Sequence, residues 1–358
     1  MKPMIAVPGT VALCYRAWSR KSLTPIGIAA AAITAIVHAI HPWSAPFFLL
    51  VVFYLGATTA TKVKHEVKAQ LTMSSSGTSG GEGPRTHVQV LANSIVASVL
   101  VLLHTRQLTL SGQDCFSFGK NGGDLLVVGI VANYAAVAAD TYSSELGILS
   151  RSKPRLITSP TLRVVPPGTN GGVSATGILA GLFGALTIAL TSIVLLPFCG
   201  GGQYYHGWAL KDQIVWVVLV TLWGGVGSLV DSLLGGFLQA SVLDKRTGKI
   251  VEGSGGRKVL VHPASTKPAA TVSSSVDKDS SALRATQAVA NTATVKGAKV
   301  IDSSSAGHPS DLESRRIEAG YDLLDNNAVN LLMAAIMSLS GMAVASYVWG
   351  VPLNDILS

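Results

Sequence analysis

Charge is scarce in this 358-residue chain. Asp, Glu, Lys and Arg make up 13% of it and hydrophobic residues 48%, with a mean hydropathy of +0.45, against the roughly 25% charge usual in a soluble domain. A soluble protein of this size is thereby excluded. Acid is missing altogether before Glu66, so the leader is purely basic. Cysteine is limited to Cys14, Cys115 and Cys199; with no close spacing among them, neither a zinc site of paired cysteines nor a dense disulfide framework is available. Aromatics are 6% of the chain, and its net charge of +8 lies in connections between apolar stretches. That distribution points away from a nucleic-acid partner.

What is present is a series of apolar runs. A bilayer core about 30 Å thick takes roughly 20 helical residues to cross, and seven stretches approach that length: Thr24 to Ile40, Pro46 to Thr61, Val88 to His104, Asp124 to Gly147, Gly172 to Phe198, Gln213 to Ala240 and Asn326 to Trp349. The expected fold is an all-α, polytopic helical bundle of about seven transmembrane helices. Summed over alternate connections, 24 of the 27 Lys and Arg fall on one side and 3 on the other. Because basic residues collect on the cytosolic side, the expected topology has a cytosolic amino terminus and an outer carboxyl terminus. Cys115 and Cys199 then both fall in outer loops and Cys14 does not, so the first two can pair in an oxidising lumen. Residues 1–23 are expected to be a cytosolic basic leader; they also resemble a cleaved signal or transit peptide, although no small-residue cleavage pattern follows. The membrane domain is expected over residues 24–242, and the last span with its entry motif and short tail over 315–358. Two segments lack fold signals: Ser74 to Pro84 reads as a flexible linker and Leu243 to Ser314 as a disordered Ser-, Thr- and Lys-rich cytosolic insertion.

Ionisable groups at membrane depth are costly and mark function by default. Four strings hold them. AADTYSSELG closes the fourth span with Asp140 and Glu145, whose directions differ by about 140° on an ideal helix, and with Ser143 and Ser144 on the Asp140 side. GTNGGVS, Gly168 to Ser174, opens the fifth span with Asn170 as a candidate cap and glycines that let a ligand approach the backbone amides. GSLVDSLLGG puts Asp231 within the sixth span on a small-residue stripe of Gly224, Gly227, Ser228 and Gly235, where another helix can pack closely. LLDNNAVNLL begins the last span with Asp325, Asn326, Asn327 and Asn330. In the expected topology all four strings fall toward the cytosolic side, next to the basic loop of Arg151, Lys153 and Arg155. Carboxylates, amides and cations at one face suit magnesium-bound phosphate chemistry.

In this order the four strings resemble the transmembrane protein 19 family of integral membrane proteins, which contains the plant and cyanobacterial phytyl-phosphate kinases. The resemblance covers Asp124 to Gly236 and Leu323 to Trp349; it departs from the family pattern at Ala139, where Gly is usual, and in the length of the Ser-rich insertion. It implies an enzyme that phosphorylates a phytyl-, geranylgeranyl- or farnesyl-type monophosphate to the diphosphate, with CTP as the nucleoside triphosphate donor. In the corresponding mechanism Asp140 and Asp231 hold Mg²⁺, while Glu145 or Asp325 completes its shell or positions the attacking phosphate. Thr169, Asn170, Gly171 and Gly172 cradle phosphates, Lys153 and Arg155 neutralise them, and Ser143, Ser144, Asn326, Asn327 and Asn330 line the substrate. The expected partners are the lipid bilayer, the prenyl phosphate and the nucleotide, and the expected location is the endoplasmic reticulum or another endomembrane. Competing readings are a CTP-using lipid nucleotidyltransferase or polyprenol kinase, a proton- or ion-coupled carrier, and a membrane scaffold.

Overall fold

The computed structural model describes residues 3–81, 83–112, 114–199, 209–261 and 314–356. Among these, the helices are α1 (Pro3–Ser19), α2 (Pro25–Ile40), α3 (Ala45–Lys62), α4 (His65–Leu71), α5 (His87–Ser111), α6 (Gly123–Gly147), α7 (Ala175–Leu195), α8 (Leu210–Leu238) and α9 (Asn326–Trp349). Each of the seven expected spans coincides with one helix. Six of them, α3 and α5 to α9, are long and apolar enough to cross a bilayer; α2 is shorter, at 16 residues.

Local sequence sets the helix starts. The Thr24 hydroxyl accepts from the Gly27 amide at 3.1 Å ahead of Pro25 at the first helical position, a pairing that satisfies one orphan donor where proline lacks one. Thr86 and Gln89 form a reciprocal capping box at α5. Ser174 caps α7 and Asp325 caps α9.

Helix α6 sits at the centre, with 83% of its apolar stretch buried against 28% for α8. Its run Ala135-Ala136-Val137-Ala138-Ala139 is fully enclosed, and neighbours reach its backbone through glycines. A Cβ on Gly224 of α8 would stand 2.7 Å from the Ala135 carbonyl oxygen, and one on Gly227 would stand 2.6 Å from the Ala136 Cβ. Gly181 of α7 faces the Ala139 carbonyl in the same way, at 3.1 Å, so the close approach survives with Ala at 139 because its partner carries the glycine. Bilayer helices gain little from burial alone and associate through such packing of small residues.

The two ends of the bundle differ. At one end, a disulfide joins Cys115 to Cys199 with Cα atoms 5.0 Å apart. Between those cysteines and the helix ends, Phe116 is buried among Phe118, Phe198, Trp216 and Trp349. Asp124 is buried there too and accepts from the Ser117 hydroxyl and the Gly119 amide. At the opposite end, a four-stranded sheet in the order β1-β5-β4-β6 covers the bundle, built from β1 (Met73–Ser74), β4 (Ser241–Asp244), β5 (Ile250–Glu252) and β6 (Arg315–Ala319). A separate two-stranded ladder pairs β2 (Arg155–Leu156) with β3 (Gly172–Val173).

Three expectations change here. The segment Ser74 to Pro84, read as a linker, begins in β1 and is tied back by the Gly80 amide on the Thr72 carbonyl. The segment Leu243 to Ser314, read as disordered, starts with ordered strands through residue 261; residues 262–313 lie outside those described. The apolar residues that strands of three to five residues bury are Val242, Leu243, Ile250 and Val251, too short a run to give period-two alternation against a polar background. Asp244 is the buried last residue of β4. Burial pushes its carboxyl up, but hydrogen bonds from the Arg246 amide and the Ser314 and Thr247 hydroxyls outweigh that and hold it below the usual carboxylate value. Finally, the expected leader forms α1 beside α2 and α3; a Cβ on Gly9 would stand 3.2 Å from the Phe47 ring near the start of α3, and Ser22 is bonded to the Tyr54 hydroxyl.

The disulfide gives a direct check. A thiol reagent applied to denatured, unreduced protein should modify one cysteine, Cys14, and three after reduction. Modification of all three before reduction contradicts the outer-face pairing.

Candidate active site

The four polar strings converge. A cavity of about 470 Å³ opens between α5, α6, α7, α8 and α9 at the end of the bundle away from the disulfide, and its wall includes Asp140, Ser143, Ser144, Glu145, Lys153, Thr169, Asn170, Gly171, Gly172, Asp231, Asn326, Asn327 and Asn330. Two candidates from the sequence lie elsewhere. Arg155 stands in β2 with its guanidinium donating to the Leu162 carbonyl at 3.2 Å, outside this wall. Asp325 accepts the Ala328 amide at 2.9 Å as the cap of α9 and faces a neighbouring cavity. Its place in a metal shell beside Asp140 and Asp231 is therefore dropped.

Asp140 and Asp231 meet at the floor. Their carboxyl groups are neighbours that act on each other electrostatically, brought together because Gly224 and Gly227, two turns and one turn before Asp231, seat α8 on the α6 backbone. Asp231 Oδ1 is buried and accepts no hydrogen bond among the described residues. Two adjacent carboxylates without a cation or a shared proton carry one negative charge too many. An orphaned oxygen beside a second carboxylate is a fit for a hard divalent cation, since Mg²⁺ is held by one or two carboxylates with waters and substrate phosphates supplying the rest of its octahedron. Among the described residues no group of three His, Cys, Asp or Glu forms a self-sufficient metal cage, which agrees with a site completed by substrate.

Glu145 is already committed. It accepts from Lys68 at 2.5 Å and from the Thr61 hydroxyl at 2.6 Å, and the Arg85 guanidinium lies 3.6 Å away. Lys68 also donates to the Ala60 and Thr61 carbonyls. This cluster ties the end of α3, α4 and the lead into α5 to α6. Lys68 and Arg85 entered the sequence reading only as topological charges; Arg85, with Gln89 and Asn93 on α5, proves to line the cavity. No short-range signal marks them, because they lie over fifty residues from Glu145 in sequence.

The Gly-rich string is a turn, not a helix start. Gly168 and Gly171 have φ of +84° and +76°, which favours glycine. A Cβ at Gly171 would stand 2.8 Å from the Gly236 Cα, so the turn rests directly on α8, one turn beyond Asp231. The amides of Thr169, Asn170 and Gly172 are donated to Pro166, Ser241 and Thr169, so Asn170 does not cap α7 and the turn has few amides left for phosphate. The cations that remain on the wall are Arg85, Arg151 and Lys153. Asn327 donates to the Gly255 carbonyl at 3.0 Å, joining α9 to the loop that follows β5. That loop, Gly253 to Lys258, lines a second cavity of about 480 Å³, which shares Gly168, Asn170, Gln239, Glu252 and Asn326 with the first.

A family model for integral membrane protein DUF92 matches residues 8–338. The chain belongs to that family. This agrees with the resemblance carried by its four motifs and establishes an integral, multi-pass membrane protein. Among DUF92 relatives, the chain is 37% identical to protein PGR of Arabidopsis thaliana over 247 residues, which cover 66% of this chain and 80% of that protein. It is 32% identical over 191 residues to an uncharacterized membrane protein of Methanocaldococcus jannaschii, covering 53% and 64%. It is also 32% identical over 167 residues to protein VTE6, chloroplastic, of Arabidopsis thaliana, covering 47% and 46%. No solved structure matches.

Separating structure from chemistry at Glu145 is straightforward. Removing one partner of a buried ion pair costs about 3 kcal/mol or more. Glu145→Gln should therefore lower the thermal unfolding midpoint of the purified protein, with the exposed Glu66→Gln unchanged. An unchanged midpoint with lost activity would instead put Glu145 in the chemistry.

Proposed function

We propose that this protein is a membrane-embedded kinase that transfers a phosphoryl group from a nucleoside triphosphate, CTP in the resemblance, to an isoprenyl monophosphate. The observation that carries the reading is the pairing of Asp140 with the orphaned Asp231 oxygen at the floor of a cationic cavity on the cytosolic face. The adjoining cavity supports it, since a two-substrate transfer needs room for two phosphorylated molecules that meet at a common wall.

An oxygen of the lipid monophosphate attacks the terminal phosphorus of the donor as the bond to the leaving nucleoside diphosphate breaks. Because that oxygen is already anionic, the chain has no strong base to supply, and positioning and charge compensation carry the rate enhancement. Asp140 and Asp231 would hold Mg²⁺, which would supply positive charge to offset the charge that develops on the phosphates. Arg85, Arg151 and Lys153 bind phosphate oxygens from the rim. Asn326 and Asn330 offer amide hydrogens from α9, and Ser143 offers a hydroxyl from α6. The Gly168 to Gly172 turn orients Asn170 toward the wall shared by both cavities.

Asp231→Asn preserves shape while removing charge, so it should insert and keep its thermal midpoint. Transfer of labelled phosphate from a nucleoside triphosphate to geranylgeranyl monophosphate should fall about 10³-fold, and Asp140→Asn should match it. Chelation of divalent cations should abolish turnover in the unaltered protein. Full turnover by a well-folded Asp231→Asn protein would defeat the site.

A further inference from the structure

A lipid phosphate has a chain as well as a head, and the polar cavity accounts only for the head. Between α1, α2, α3 and α5 lies a narrow crevice lined by Leu13, Cys14, Ala31, Leu50, Phe53 and Tyr54. Its wall is apolar even where the sequence is not: the hydroxyls of Thr34 and Ser94 donate to the Ala30 and Val90 carbonyls of their own helices. Arg85, Gln89 and Asn93 line this crevice and the 470 Å³ cavity alike. These three follow one another at intervals of four residues, so a single stripe along the start of α5 separates a charged chamber from an oily one.

We propose that this crevice receives the chain of the lipid phosphate, with the Arg85–Gln89–Asn93 stripe as the point where head gives way to tail. The inference rests on the phosphate-site reading above and adds where the chain lies and what sets its length. The crevice has a volume of about 70 Å³ and is open on one side, so an extended single chain lies along it with one face against the helices, held by packing contacts and not by removal from water. α1 contributes one wall through Leu13 and Cys14, which gives the helix formed by the basic leader a role in the site. Ala31 is half-buried on the α2 wall, so a large side chain there fills the crevice without entering the packed core.

Two measurements on the full-length protein test this. Ala31→Phe should raise KM for geranylgeranyl monophosphate at least about tenfold, while KM for the five-carbon dimethylallyl monophosphate stays within about twofold. In the unaltered protein, geranylgeranyl monophosphate should slow alkylation of Cys14 by an apolar maleimide, and dimethylallyl monophosphate should not. A folded Ala31→Phe protein with unchanged KM for both, or Cys14 alkylated equally fast with and without the long lipid, overturns the crevice assignment and leaves the phosphate site standing. If the unaltered protein transfers no phosphate to any prenyl monophosphate, the kinase reading fails. Cys14 protection by the long lipid alone would then still establish the crevice as a lipid-phosphate site. If Ala31→Phe does not fold, the protection experiment decides.

Discussion

Everything at the end of the bundle that holds the polar cavity depends on how closely α8 and α7 approach the backbone of α6. Helices in a bilayer gain little from hiding apolar surface, because lipid is as apolar as the neighbour they hide against. Backbone contact through Gly224, Gly227 and Gly181 supplies the packing that takes its place. The same contact fixes function, because Asp231 sits one turn past Gly227, and only a short interaxial distance lets its carboxyl reach Asp140. A larger residue on that stripe pushes apart two side chains that it does not touch.

Charge is arranged around that contact in two tiers. The lower tier brings Asp140 beside Asp231, whose Oδ1 accepts no hydrogen bond among the described residues. The upper tier binds Glu145 to Lys68, with Arg85 close by, and joins α3, α4, α5 and α6. The two carboxylates of one sequence string thus have opposite settings: one lies against a second carboxylate and the other against cations of the protein. Their separation by about 140° around α6 allows it, since Asp140 turns to α8 while Glu145 turns to α3 and α4. At the far end of the bundle, the disulfide, the Phe116 cluster and the hydrogen-bonded Asp124 hold the helix ends together and leave the opposite ends to form the cavity.

The spans, the polarity of the two faces and most of the cavity wall were legible in the sequence because each rests on a local signal: an apolar run, a loop charge, an acid within hydrocarbon. What was not legible depends on long-range contact. Arg85 and Lys68 acquire their role only when α6 returns to them from sixty residues away. The sheet that covers the site draws β1, β4, β5 and β6 from two separate connections and leaves no periodic pattern in either of them. Asp325 and Asn170 were misread for a related reason: a polar residue near a helix start has two uses, capping and ligand contact, and only coordinates separate them. Asp325 caps α9, whereas Ser174 caps α7 and releases Asn170 to the cavity wall.

The most direct test of this dependence is the binding of Mn²⁺, an Mg²⁺ substitute visible by electron paramagnetic resonance, to the purified protein with Gly227 replaced by Leu. That substitution leaves both carboxylates in place and changes only the distance between their helices. The account predicts that the unaltered protein binds one ion per chain and that the Gly227→Leu protein, although inserted and monodisperse, binds none at the same concentration. Equal Mn²⁺ binding by the two proteins would contradict it.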